Sequence, residues 1–401
     1  MNHLAGAWRR TAAGAGLLNR DGAPTATIFA EMSALAARTG AINLGQGFPD
    51  RDGPSEVLSA AIEAINNGTN QYPPGRGTLD LRTAIAEHQH RFYQISVDPE
   101  REVLVTTGAT EAIASALLAL IASPADDVVV FEPFYDAYAA LTALSGARLV
   151  TIPLRLPNFQ PDLSDIQNAI SDRTRVILVN DPHNPTGTVF SNEVRDELVR
   201  LADRHDAIII TDEVYEHLIF ERTHTPIATR AGAAERTLTI SSAGKTFSTT
   251  GWKIGWMSGP AHLIDAAEAV SQFLTYSNGA PFQPAIATGL RLPDAYFNDL
   301  RADLHAKQIR LSEGLRAAGF GVSEPDGSYF TIADARPLGF ADADRFCWEL
   351  PNRAGVVAVP VTAFVLAEHR ADYAGLVRFA ACKQPEVIEE GVRRLAGLNR
   401  R

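Results

Sequence analysis

TLTISSAGKTFSTTGWKIGWMSG, residues 237 to 259, sets a lysine among small and hydroxylated residues between two runs that read as β-strands, TLTISS (237 to 242) and KIGWMSG (253 to 259). The amine of Lys245 therefore starts at a strand end. Working outward, VVVFE (128 to 132), ARLVTI (147 to 152), RVILVN (175 to 180) and AIIITDE (207 to 213) are strands of the same kind, and EVLVT (102 to 106) precedes them. Helical stretches separate most of them: ATEAIASALLALIA (109 to 122), SNEVRDELVRLADRH (191 to 205) and AHLIDAAEAVSQFL (261 to 274). Fully apolar strands alternating with helices predict an α/β fold with a mostly parallel sheet covered on both faces. Such sheets bind ligands outside the carboxyl ends of their strands.

Past residue 293 the pattern changes to a long helix, LRADLHAKQIRLSEGLRAAG (300 to 319), then SYFTIAD, GVVAVPV and LVRFAAC, then a last helix. The expected organisation is an N-terminal arm that joins a small domain (1–45), a large ligand-binding domain (46–292) and a C-terminal small α+β domain (293–401). Of the 401 residues 46% are hydrophobic, enough for a sizeable core, and 47 acidic against 36 basic side chains give a net charge of −11. That balance disfavours nucleic acid and anionic membranes and favours small-molecule partners. With only Cys347 and Cys382, no disulfide framework is expected, and the N-terminal residues lack the apolar region of a secretory signal. A cytoplasmic enzyme is the expectation. No apolar run approaches the ~20 residues that span a bilayer.

The strand ends hold the chemistry. A lysine with a lowered pKa can form a Schiff base with an aldehyde, which gives Lys245 a role beyond that of a loop lysine. Asp212 closes the run AIIIT, where an unpaired carboxylate is costly. Tyr215 follows three residues on, and NDPHNPTG (180 to 187) offers Asn184. TTGATEAI (106 to 113) leads from a strand into a helix, so Gly108, Ala109 and Thr110 present backbone N–H groups suited to a phosphate. Phe134, after VVVFE, offers a ring to stack on a planar ligand. An amine, a carboxylate, a phenol, an amide, an aromatic face and a phosphate cradle, with Lys253 as a cation, suit pyridoxal 5'-phosphate; no metal is called for.

In these motifs the chain resembles the fold-type I pyridoxal-phosphate aminotransferases, class I/II, which implies a mostly parallel sheet of the seven-stranded type in the large domain. The resemblance runs from INLGQGFPD (42 to 50) and NQYPPGRG (70 to 77) through HNPTG, TDEVYEHLIF (211 to 220) and SSAGKTFSTTGWKIGW (241 to 256) to LVRFAACK (376 to 383). Within the class it is most similar to the branch of kynurenine, glutamine, methionine and N-succinyldiaminopimelate aminotransferases, with GQGFPD, QYPPG, EPFYDAY and GAPFQPA most like the last. The resemblance implies that Lys245 bonds the cofactor aldehyde and carries the proton, and that Asp212 pairs with the ring nitrogen. It gives Asn184 and Tyr215 the ring hydroxyl, Phe134 the ring face, and Ala109, Thr110, Ser242 and Lys253 the phosphate. Tyr72 reaches the phosphate of a neighbouring subunit in a homodimer. Arg378 clamps the substrate carboxylate, which the backbone at Gly47 also approaches. Lys253 stands where the aspartate aminotransferases have arginine. Asp181 adds an acid before HNPTG, an expected repulsion for acidic substrate side chains.

The expected reaction is ping-pong transfer of an α-amino group to a 2-oxo acid such as 2-oxoglutarate. The alternative on the same carbanion chemistry is a C–S β-lyase, a γ-replacement or a carbon–carbon bond-forming enzyme. A regulator with an aminotransferase-like sensor domain is disfavoured by the acidic chain and the short segment ahead of the first motif. A nicotinamide dehydrogenase is disfavoured because no G-x-G-x-x-G follows the first strand of a βαβ unit. Side-chain specificity is assigned to Ile28, Phe48, Tyr135, Tyr276, Asn278 and Phe364.

Overall fold

The computed structural model describes residues 6–398. Its large sheet has seven strands: β1 (Val103–Thr107), β2 (Asp127–Glu132), β3 (Arg148–Pro153), β4 (Thr174–Asn180), β5 (Ile208–Asp212), β6 (Thr237–Ser242) and β7 (Ile254–Ser258). The spatial order is β1-β7-β6-β5-β4-β2-β3. Strands β2 to β6 run parallel, and β7 lies antiparallel to both β1 and β6. Every strand expected from the sequence in this region is present.

The apolar runs are explained by burial on both faces. Along β4, Val176 and Leu178 enter one core while Ile177 and Val179 enter another; along β2, Val128 and Val130 part from Val129 and Phe131 in the same way. The helix Gly108–Leu120 and the helix Ala261–Leu274 close the first face through Ile113, Leu117, Leu263 and Ile264. Asn192–Arg204 closes the other through Val194, Leu198 and Leu201. With no solvated face, polar residues are driven to the strand ends. Register then sets those ends side by side: Asn180 pairs with Asp212, Asp212 with Ile240, and Ser242 with Gly255.

A second, antiparallel sheet of four short strands runs in the order Val359–Pro360, Leu376–Ala380, Phe330–Asp334, Gly321–Val322. The helices Asp294–Ala317, Ala343–Ala354 and Pro385–Leu395 pack around it. The N-terminal segment divides between the two parts. Ile42–Asn43 pairs in parallel with Val356–Val357, and the helix Ile28–Thr39 packs beside it. The helix Ala7–Gly14 instead lies on Ala137–Ser145, where a Cβ on Gly14 would come within 2.7 Å of the Ala143 Cβ. Residues 1–5 and 399–401 fall outside the described residues. No helix is long and apolar enough to cross a membrane among the described residues.

Candidate active site

The carboxyl ends of β4, β5 and β6 and the start of the helix Gly108–Leu120 open into a cavity of about 1070 Å³, counted to its mouth. Gly47, Gly108, Ala109, Thr110, Asn184, Asp212, Tyr215, Ser242, Lys245, Lys253 and Arg378 all line it, as expected.

Lys245 sits one helical turn past β6. Its Nζ donates to the Gly47 carbonyl at 3.3 Å and lies 5.9 Å from the centre of the Tyr215 ring. Burial brings the amine down to about pKa 8, with nearby Arg378 and Lys253 pushing the same way and Asp212 opposing. A depressed pKa makes the neutral, nucleophilic amine available as pH rises toward 8. The rate at which cofactor-free enzyme takes up pyridoxal phosphate should therefore climb about tenfold per unit from pH 6 and level off above 8. Stopped-flow visible absorbance checks this, and a flat profile would contradict the burial of the amine.

Asp212 is buried at the end of β5, and desolvation pushes its carboxyl up to about 6. The Tyr138 hydroxyl donates to its Oδ2 at 2.6 Å and the Val214 N–H to its Oδ1 at 3.4 Å, both favouring the ionised form. The Asn180 amide donates to the Asp212 carbonyl at 2.8 Å, and its Oδ1 accepts the Asn184 N–H at 2.7 Å. Two strand ends are thereby stitched together beneath the cavity floor.

Gly108 opens its helix at φ 71°, a left-handed conformation that favours glycine, and a Cβ there would lie 3.3 Å from the Lys253 Nζ. Lys253, itself at φ 56°, thus aims its ammonium at a helix N-terminus, with Ser242 and Thr250 beside it. A cation and free N–H groups converging on one spot fit a phosphate.

Arg378, on the strand Leu376–Ala380, is fully buried. Its Nη1 donates to Asn184 Oδ1 at 3.0 Å and its Nη2 to the Gly45 carbonyl at 2.7 Å, while Nε has no partner among the described residues. Phe330 and Phe364 lie 4.1 and 4.6 Å from its guanidinium. Burial lowers this group to about pKa 10, so it stays charged at neutral pH. A buried cation with an orphaned donor calls for an anion, which a carboxylate supplies bidentately.

Three sequence-based expectations are corrected. Phe134 packs into the core on one face of the sheet, and Tyr135 lines the cavity in its place, the two adjacent rings parting where the chain leaves β2 in irregular backbone. Asp181 does not face the cavity. Its Oδ2 accepts from Arg195 Nη2 at 2.6 Å and Nε at 3.0 Å, a buried ion pair, and its Oδ1 accepts the Phe190 N–H at 3.3 Å, so it exerts no simple repulsion on substrates. Tyr72, expected to serve a neighbouring subunit and not this one, lies outside the cavity, 83% exposed and edge-on to Tyr276. Of the specificity candidates, Phe48 and Tyr135 line the cavity. Ile28, Tyr276, Asn278 and Phe364 do not, the Asn278 amide being tied to the Thr106 carbonyl.

Phe29, Gln46, Tyr138, Asn180 and Phe330 line the cavity without having been singled out from the sequence. Asn180 had a signal, being the polar residue that ends a buried strand as Asp212 does.

Residues 39–395 match the family described as aminotransferase class I and II. A probable N-succinyldiaminopimelate aminotransferase of Mycobacterium tuberculosis is 49% identical over 385 residues, 94% of this chain and 96% of the relative. A solved structure of N-succinyldiaminopimelate aminotransferase from that organism superposes with a TM-score of 0.90 at 49% identity, covering 93% of this chain and 97% of the other. The mouse kynurenine–oxoglutarate transaminase 3 is 36% identical, over 90% of this chain and 86% of its own. With that match over nearly its whole length, and an amine, a carboxylate and an arginine converging on one cavity, the chain belongs to the class I and II aminotransferases and is a pyridoxal-phosphate-dependent enzyme of that fold.

Proposed function

We propose that this aminotransferase takes its amino group from N-succinyldiaminopimelate, or a close analogue with a long acylated side chain, and passes it to 2-oxoglutarate. The observation that carries this reading is the 49% identity, sustained across 94% of the chain, to a relative named for that donor. A kynurenine-type donor is the second reading, favoured by the 36% identical relative and by the rings of Phe29, Phe48, Tyr135 and Phe330 along the cavity. The relatives' names favour amino transfer over elimination.

Bound pyridoxal phosphate supplies an aldehyde to carry nitrogen and a cationic ring to accept electrons from the substrate α-carbon. In this reading Lys245 holds the aldehyde and then moves the α-proton, Asp212 keeps the ring cationic, and Tyr215 and Asn184 face the ring hydroxyl. Gly108 to Thr110, Ser242 and Lys253 take the phosphate, Tyr135 covers the ring, and Arg378 fixes the α-carboxylate.

Tyr72 belongs at the interface of a homodimer, where its phenol reaches the partner's phosphate. The exposure of Tyr72 and of Phe273 at 88% supports this, and sedimentation showing a monomer that is fully active would remove it. The free, buried thiols of Cys347 and Cys382 support a cytoplasmic setting, which fractionation tests.

The donor is tested in single turnovers. N-succinyl-L,L-diaminopimelate should bleach the visible absorbance of the holoenzyme about 100-fold faster than kynurenine or methionine, and 2-oxoglutarate should restore it. Faster reaction with kynurenine would replace the first reading by the second.

A further inference from the structure

The Gly47 carbonyl serves two donors, Lys245 Nζ at 3.3 Å and the Tyr329 hydroxyl. Tyr329 lies behind the cavity wall, buried, with its ring edge-on to Tyr215 at 5.3 Å and its own carbonyl taking the Ala381 N–H at 2.8 Å. The close approach needs glycine at 47, since a Cβ would lie 2.6 Å from Phe330 Cζ and 3.1 Å from Tyr329 Cε2.

The segment around Gly47 cannot turn away. Arg378 holds the Gly45 carbonyl at 2.7 Å, the Cys382 thiol reaches the carbonyls of Gln46 and Phe48 at 3.4 and 3.3 Å, and Lys383 Nζ holds Phe48 at 2.8 Å. The Gly47 oxygen therefore keeps its aim at the lysine. It has two lone-pair directions, and the phenol takes one of them.

We propose that Tyr329 is a positioning residue for proton transfer: by occupying the Gly47 carbonyl, its phenol leaves the freed Lys245 amine a single weak resting bond beside the reacting atoms instead of a strong site that would hold it as an ammonium. A buried carbonyl with no other donor would bind an ammonium tightly, because hydrogen bonds to charge strengthen in a low dielectric. Sharing the oxygen reduces that pull. The amine stays neutral for more of the cycle and is free to swing. This inference rests on Lys245 being the residue that moves the proton.

The test starts with cofactor-free protein. Acetic anhydride labelling of Lys245 across pH, read by peptide mass spectrometry, should show the midpoint rising by about half a unit in Tyr329→Phe, so that the reactive fraction at pH 7 falls about threefold. Tyr329→3-fluorotyrosine, a stronger donor that preserves the packing, should move the midpoint down, and it supplies the sign if the phenylalanine variant fails to fold. In the holoenzyme, Tyr329→Phe should lower kcat about tenfold, leave the donor KM within twofold because Arg378 is untouched, and enlarge the isotope effect of an α-deuterated donor. An unmoved labelling midpoint in both variants, or kcat and KM changing together, would overturn the proposal. Absence of a borohydride adduct on Lys245 in wild-type enzyme would instead overturn the role given to that lysine.

Discussion

Lys245→Ala is expected to lower kcat by about 10⁴-fold or more, since on the roles proposed for Lys245 the substitution removes both the nucleophile that holds the cofactor and the base that moves the α-proton. The two proposed roles fall to one amine, because no other described lysine or histidine on the cavity wall lies near Lys245 except Lys253, whose ammonium is turned to the Gly108 helix start. Lys245 is adapted to both. It is half-buried, its amine desolvated enough to lower its pKa to about 8, and its neighbours Ala243, Gly244 and Thr246 leave room for the side chain to swing. Arginine cannot substitute, as a guanidinium does not give up its proton at neutral pH. Borohydride reduction and peptide mapping provide a second readout: wild-type enzyme should carry the pyridoxyl adduct on the peptide containing Lys245, and the alanine variant none. The variant should still bind the cofactor weakly through Asp212, Ser242 and Lys253. An adduct elsewhere in the wild type, or turnover within tenfold of it in the variant, would sink the assignment.

How much of this was legible follows from where each residue gets its neighbours. The strands could be read because burial on both faces writes unbroken apolar runs such as VILV in β4, and their ends could be read because a polar residue closing such a run has to face a ligand or a partner. Asp212 and Lys245 were found that way. Arg378 came through the family resemblance alone, since its surroundings, Phe29, Phe330 and Phe364, are contributed by distant parts of the chain. Asp181 was misjudged for the same reason. Its partner Arg195 projects inward from a strongly amphipathic helix, and no local pattern marks one arginine of that helix as buried. Phe134 and Tyr135 were confused because the sequence does not tell which of two adjacent rings faces out once the chain leaves β2. Tyr138 and Tyr329 were out of reach, their importance lying in single hydrogen bonds to Asp212 and Gly47.

Asp212→Asn should produce two effects of opposite sign, a combination that separates a catalytic carboxylate from a structural one. The amide keeps the shape and can accept from Tyr138, yet it cannot hold a ring nitrogen cationic, so kcat should fall about 10³-fold, near 4 kcal/mol of lost stabilisation. In the cofactor-free protein the same change removes a buried charge that has no cation in contact with it. Because burial raises the Asp212 carboxyl from 3.8 to about 6, the stability it contributes is full below the unfolded value and is lost as pH rises through 6. At pH 8 the wild-type apoenzyme bears the cost of an ionised side chain, while the asparagine variant does not. The apo variant should thus unfold at a higher temperature than apo wild type at pH 8, and the gap should shrink toward pH 5. Adding the cofactor should reverse the order, since the cationic ring stabilises the carboxylate and gains little from the amide. Calorimetry at the two pH values, with and without pyridoxal phosphate, measures all four states. If the apo variant were the less stable protein at pH 8, or if kcat fell by less than tenfold, Asp212 would be a structural residue and the electron sink would have to be held by another group.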